Sequence, residues 1–173
     1  MDDTVNRNSA IEQAAQELFD FAVDREDVTA LLAAMPEEAG AERGEVEYEL
    51  GILRIISVGW SISYFLAHSP HKDRLAEAYW KAVQEFSRSV SESAGLMIGK
   101  EIDYFQILKD RLNSYVEAMR LEPRASEPAV VIGPEFAMAC GKGNDVYVVM
   151  TGTKMFIATV GSVKAYLETT KLS

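Results

Sequence analysis

The stretch LGILRIISVGWSISYFLA, residues 50–67, constrains the fold more than any other part of the chain. It carries a single charge, that of Arg54, and large apolar side chains point to every side of the predicted helix. A helix that is apolar all round must be buried, either in a protein core or in lipid. Its length lies at the lower edge of the range that spans a membrane.

Three features of this stretch favour a protein core over a bilayer. Arg54 would be costly near the centre of a bilayer, and Ser57, Ser61 and two glycines dilute the hydrophobicity. The preceding segment is acidic, so the flanks lack the basic signal that orients a membrane span. We therefore predict a buried central helix, running from about residue 45 to residue 68, and no membrane contact.

Amphipathic helices are predicted on both sides of this central helix. The capping-box pattern Ser9-x-x-Glu12 predicts a helix start at Ser9, and a short helix follows over about residues 26–35. Beyond residue 68, apolar residues recur at helical spacing over about residues 70–94, 100–120 and 146–167. Gly95 is predicted to end the first of these three helices, and Asn144 to cap the last. A break in that last helix is expected near Gly152 or Gly161.

The segment LEPRASEPAVVIGPE, residues 121–135, contains three of the five prolines and is predicted to be a non-helical connection. A short helix over 136–140 is expected after it. The segment from Phe136 onward is too short for an independent unit, so it must dock on the main bundle or on another subunit. We predict one all-α domain over residues 1–173, a helical bundle of about six or seven helices around the central helix.

The net charge of −10 predicts that the chain does not bind nucleic acid. Residues 1–49 hold 14 acidic and 3 basic side chains, whereas residues 50–173 hold 13 and 14. Without a cluster of lysine or arginine, such a chain repels phosphate backbones. The acidic N-terminal segment is expected to form a solvated face; the alternative is docking onto a basic surface of a partner.

The single cysteine, Cys140, rules out an internal disulfide and fits a reducing compartment. The N-terminal residues show no signal-peptide pattern, so the predicted location is the cytoplasm. Small neighbours of Cys140 and the lack of a thiol motif predict a buried, unreactive thiol.

The sequence contains no complete catalytic or metal-binding pattern. His68 and His71 are the only histidines and lack the further ligands that a metal site needs. The segment GWSIS, residues 59–63, lacks the last glycine of a nucleophile elbow, and GLMIGKE, residues 95–101, lacks the spacing of a phosphate-binding loop. We predict no catalytic residue, no metal and no cofactor, which favours a non-enzymatic role.

Arg54 needs a partner, because an unpaired buried charge is very unfavourable. The positions one helical turn away offer no carboxylate, so the partner must come from elsewhere; Glu92, Glu101 and Asp103 are the predicted candidates. The alternatives are that Arg54 extends to the surface or binds an anionic ligand in a pocket of the bundle.

Two functions are consistent with these observations. The first is a protein-interaction, adaptor or regulatory module that self-associates as a homo-oligomer or binds a protein partner. It depends on the absence of a catalytic pattern, on the acidic segment and on Trp80 and Tyr104, which lie off the main apolar stripes. The alternative is a bundle that binds a small anionic or apolar ligand, with Arg54, Trp60 and Tyr64 as ligand-binding residues.

Overall fold

The computed structural model describes residues 2–123, 127–170 and 172, with side chains from residue 8 onward, and confirms the all-α fold. Within these residues the chain forms seven helices: α1 (Asp2–Val23), α2 (Glu26–Ala34), α3 (Arg43–Phe65), α4 (Lys72–Ile98), α5 (Tyr104–Leu121), α6 (Ala129–Ala139) and α7 (Val146–Thr169). They pack against one another as a single domain.

Helix α3 is the centre of the bundle, as its all-round apolarity predicts. Every residue from Ile52 to Gly59 is buried, and α3 contacts each of the other six helices. The hydroxyls of Ser57 and Ser61 donate to the carbonyls one turn back, at 2.6 and 2.7 Å. These bonds satisfy the two hydroxyls inside the helix, so both serines are buried without needing a partner on another helix.

Two of the predicted helix ends are wrong. Ser9 lies inside α1, which begins at Asp2, so the capping-box pattern does not mark the start of this helix. Helix α4 does not end at Gly95 but continues to Gly99. Gly99 has a φ of 68°, the left-handed geometry that glycine adopts without strain, and it caps the helix.

The predicted non-helical connection over residues 121–135 is wrong in its last seven residues, because α6 already begins at Ala129. Pro128 lies immediately before the helix, where the missing N–H has no intrahelical partner to lose. Pro134 lies inside α6 on its exposed side, where it removes only the bond to the carbonyl of Val130. The short helix predicted after the connection is the second half of α6.

Helix α7 is continuous through both of its glycines, contrary to the predicted break, and its N-cap is Asp145 rather than Asn144. One carboxylate oxygen of Asp145 accepts from the backbone N–H groups of Tyr147 and Val148 at 2.9 and 3.2 Å. The other accepts from the N–H of Gly40 at 2.7 Å and ties the α2–α3 connection to the start of α7. The Gly40 bond, followed by the two cap bonds, lowers the pKa of Asp145.

Helices α6 and α7 approach closely at two glycines. A Cβ on Gly133 would lie 2.9 Å from the carbonyl oxygen of Val149, and a Cβ on Gly152 would lie 2.5 Å from Cγ of Phe136. Because Phe136 is fully buried, its ring fills the space that Gly152 leaves. The two helices therefore pack as a close pair on one side of α3.

Candidate protein-interaction site

Arg54, the first predicted site residue, is bound internally. Its side chain is 2% exposed, and Nη1 donates to Oδ2 of Asp27 at 2.6 Å. Nε donates to the carbonyl of Phe21 at 2.9 Å, and the guanidinium lies 4.3 Å from the centre of the Phe21 ring. The predicted structural pairing of Arg54 is therefore confirmed.

The predicted carboxylate partners of Arg54 are wrong, because the partner comes from the short helix α2. Glu92 and Glu101 are exposed, and the side chain of Asp103 instead accepts from the N–H of Gln106 at 3.0 Å and caps α5. Asp27 lies in the first turn of α2, which packs on α3. No spacing in the sequence indicates this contact, because it depends on how α2 folds back over α3.

The structure brings Trp60 and Tyr64 together but separates them from the surroundings of Arg54. Their rings stack with centroids 4.7 Å apart. Trp60 is half-buried against Phe156 of α7, whereas Arg54 contacts α1 and α2. Tyr64 is 61% exposed and lines an open cleft of about 780 Å³ near His68.

A second buried ion pair joins α3 to α5. Glu49 is 3% exposed, and both of its carboxylate oxygens accept from the Arg111 guanidinium, at 2.9 and 2.6 Å. The bond to Glu49 raises the pKa of Arg111. Burial raises the pKa of Tyr115 beside the pair, whose hydroxyl has no hydrogen-bond partner among the described residues. The opposite charges of Glu49 and Arg111 compensate each other.

The sequence analysis missed this pair because Glu49 was grouped with the acidic N-terminal residues. Its place just before the apolar stretch, on the turn that leads into the core of α3, is the one signal that marks it as buried. Among the described residues, no group of three or more His, Cys, Asp or Glu side chains is placed to hold a metal ion. The buried side chains of Arg54 and Glu49 each bind an oppositely charged side chain from another helix.

Cys140 is 1% exposed, and burial raises the pKa of its thiol to about 12. The thiolate is the reactive form, so we expect the folded protein to resist alkylation by iodoacetamide at pH 8 and to react after unfolding in guanidinium. Mass spectrometry of the native and unfolded samples measures this difference. Rapid alkylation of the native protein would contradict the buried position of Cys140.

The outward side of α7 is the most extended apolar surface that the described helices expose. We call it the α7 outer face; its large residues are Val146, Met150 and Ile157, which are 58%, 48% and 54% exposed. Gly161 and Ala165, both exposed, continue the same stripe toward the C-terminal end. The positions follow helical spacing, so they form one continuous surface.

The α7 outer face differs in chemistry from the outward sides of α1 and α4. Between Val146 and Val163 the only charged residue is Lys154. By contrast, the exposed positions of α1 and of most of α4 carry charged or amide side chains, among them Glu12, Gln13, Gln16, Glu17, Asp20, Asp73, Arg74, Glu77, Lys81, Gln84, Glu85 and Arg88. Exposed apolar patches on a protein surface mark protein–protein or membrane interaction sites, ligand-binding grooves or aggregation-prone surfaces.

In the part of the chain that the structure describes, α7 is the one helix long and apolar enough to cross a membrane by length and composition. Only 39% of its apolar stretch is buried in the bundle. The inner side of α7 packs on α3 and α6 through Val148, Met155 and Val163. The cytoplasmic location and the absence of membrane contact stay predictions.

A second apolar surface lies between α5 and α6. We call it the α5–α6 groove; it has a volume of about 630 Å³, and Leu121, Val130, Pro134 and Met138 line it. Leu121, Val130 and Met138 are 65%, 63% and 65% exposed. Three glutamates also line the groove: Glu117, Glu122 and Glu135.

The last turn of α4 forms a third exposed apolar patch, which we call the α4 tip. It consists of Leu96, Met97 and Ile98, which are 89%, 85% and 64% exposed. Ser91, two turns earlier, accepts from the backbone N–H of Tyr104 and holds the start of α5 against α4. The tip is short, and three residues alone bury less area than a specific interface requires.

Comparisons with protein families, curated proteins and solved structures find no match for this chain.

Proposed function

We propose that this chain is a non-enzymatic protein-interaction module that self-associates, and that the α7 outer face is the surface through which two copies bind. The observation that carries the proposal is the exposure of Val146, Met150 and Ile157 along a helix whose only charge before Val163 is Lys154. Exposed apolar area of this kind is removed from water when a second copy covers it.

The length of α7 suits such an interface. A helix of 24 residues is about 36 Å long at about 1.5 Å per residue. Two copies related by a two-fold axis present the same surface to each other, the commonest arrangement in homodimers. Gly161 has open space where a Cβ would lie, so two α7 helices can cross closely at this residue.

An antiparallel crossing at Gly161 pairs residues of the C-terminal half of α7 with one another. Counting equal steps from the crossing, Ile157 meets Ala165 of the second copy, and Lys154 meets Glu168. Large apolar side chains then oppose small ones, and opposite charges oppose each other. Lys154 would then share the carboxylate of Glu168 with Lys164, whose Nζ lies 3.9 Å from Oε1 of Glu168 in the same chain.

The test is the molar mass of the protein in solution. We expect sedimentation equilibrium to give twice the chain mass of 19.2 kDa for the natural sequence and the single-chain mass for Ile157→Glu. The variant places a charge at the centre of the interface, where it would be buried without a partner. Leu96→Glu on the α4 tip makes the same kind of change at a more exposed residue and is the matched control, so it should remain dimeric.

Three results would overturn this proposal. A single-chain mass for the natural sequence would exclude self-association. Dissociation by Leu96→Glu but not by Ile157→Glu would move the interface to the α4 tip. Binding of the natural sequence to neutral lipid vesicles, lost in Ile157→Glu, would show that lipid and not a second copy covers α7.

Ligand binding is the second candidate function, and the exposed ring of Tyr64 is the observation that favours it. Tyr64 stacks on Trp60 and lines the open cleft that also contains His68 and His71. A planar ligand in this cleft would stack on the free face of Tyr64. Anion binding at Arg54 is less favourable, since the guanidinium would have to give up its bonds to Asp27 and Phe21.

A further inference from the structure

The α5–α6 groove has the form that receives a helix. Val130, Pro134 and Met138 lie one turn apart on α6 and form its apolar ridge, and Leu121 lines the opposite side on α5. Grooves of this kind bind the apolar face of an amphipathic helix, whose side chains at successive turns fit between the two walls. Leaving these apolar side chains exposed to water is unfavourable.

The charge of the groove selects the partner. Glu117, Glu122 and Glu135 line it, whereas none of its described lining residues is Lys, Arg or His. Arg120 outside the groove binds Glu117 through two hydrogen bonds at 2.8 and 2.7 Å. With a chain charge of −10, the surroundings attract a cationic partner and repel an acidic one.

The carbonyl of Val130 in α6 lacks the helical N–H donor that a residue other than proline would supply at position 134. Pro134 has no N–H, so it cannot donate to the carbonyl of Val130 one turn earlier. Both residues line the groove, and Val130 is 63% exposed. A lysine or arginine side chain of a bound segment can donate to this carbonyl in place of water.

From these three observations we infer that the α5–α6 groove is a docking site for a basic amphipathic helix of a partner protein. The inference builds on the proposed function, because it supplies the partner-binding surface of the interaction module, and uses a different surface from self-association. A second copy is a poorer occupant, since two copies placed groove to groove would bring six glutamates together. Like charges in contact at an interface are strongly unfavourable.

The probe is a short fluorescein-labelled peptide, about four helical turns long, that presents leucine on one helical face and lysine on the other. A control peptide keeps the leucines and replaces every lysine by glutamate. Fluorescence anisotropy at low salt should show saturable binding of the lysine peptide only. We expect Met138→Asn and the double variant Glu122→Gln, Glu135→Gln each to weaken this binding by about tenfold, or ~1.4 kcal/mol.

Two matched variants test whether binding depends on the groove. Leu96→Asn and Met97→Asn change exposed apolar residues of the α4 tip, outside the groove, and should bind the lysine peptide as tightly as the natural sequence. Circular dichroism establishes that each variant is folded. Equal binding by all variants, or equal binding of both peptides, would overturn the inference.

The results also separate this inference from self-association. Selective binding of the lysine peptide by a single-chain natural protein would support the groove and remove self-association. A dimer that Ile157→Glu dissociates, together with no selective peptide binding, would support self-association and overturn the groove. A dimer dissociated by Met138→Asn would place a second copy in the groove and would also overturn the inference.

Discussion

Replacement of Gly152 by alanine is expected to lower the free energy of unfolding by about 3 kcal/mol, the upper part of the range for an overpacked core. A Cβ at this position would lie 2.8 Å from Cβ and 2.5 Å from Cγ of Phe136. Because the contact includes Cβ of Phe136, which does not move when the side chain changes rotamer, a change of rotamer cannot relieve it. Helices α6 and α7 must move apart instead, and Phe136 is fully buried between them.

Gly161 provides the matched control on the same helix. A Cβ there meets nothing within 4 Å, so Gly161→Ala should stabilise the fold by about 0.5–1 kcal/mol through helix propensity alone. Guanidinium unfolding in the Ile157→Glu background measures both variants without a contribution from assembly. If Gly152→Ala proves as stable as Gly161→Ala, the close contact of α6 with α7 is wrong.

The sequence predicted the central helix because its signal is contained in the helix itself. Apolar side chains all round a segment can only be buried, and α3 is buried from Ile52 to Gly59. The need to pair Arg54 is also a local inference. Which carboxylate pairs with it is not, since Asp27 reaches Arg54 only after α2 has folded onto α3.

The start of α6 was not predicted because the prolines of residues 121–135 were all interpreted as helix breakers. Proline usually disfavours a helix, but Pro128 precedes the first turn and Pro134 lies on an exposed side. Packing against α7 through Gly133 stabilises this helix, and the sequence does not display that contact.

The sequence pattern also does not show which apolar residues are exposed on the surface. In α7 the inner residues Val148 and Met155 and the outer residues Met150 and Ile157 are equally apolar, so periodicity alone does not tell which side faces solvent. The α5–α6 groove arises from two helices that the sequence separates by a proline-rich connection. Only their packing places Leu121 opposite Val130.

Replacement of Arg111 by methionine is expected to lower the free energy of unfolding by about 3 kcal/mol, since it leaves a buried carboxylate without its partner. Glu49 is 3% exposed and has both oxygens bound by Arg111. Methionine keeps much of the length of the arginine side chain, so the loss arises mainly from the missing charge and hydrogen bonds. Guanidinium unfolding monitored by circular dichroism measures the change.

The matched control is Arg120→Met, which removes an equally well-aligned arginine bound to Glu117 at the surface. Water and salt screen that exposed pair, so its removal should leave stability almost unchanged. In the double variant Glu49→Leu, Arg111→Met the buried charge is gone and an apolar contact replaces it. We therefore expect the double variant to be more stable than Arg111→Met alone. A further loss of stability on adding Glu49→Leu would contradict this account. It would mean that the unpaired carboxylate is not what destabilises the single variant.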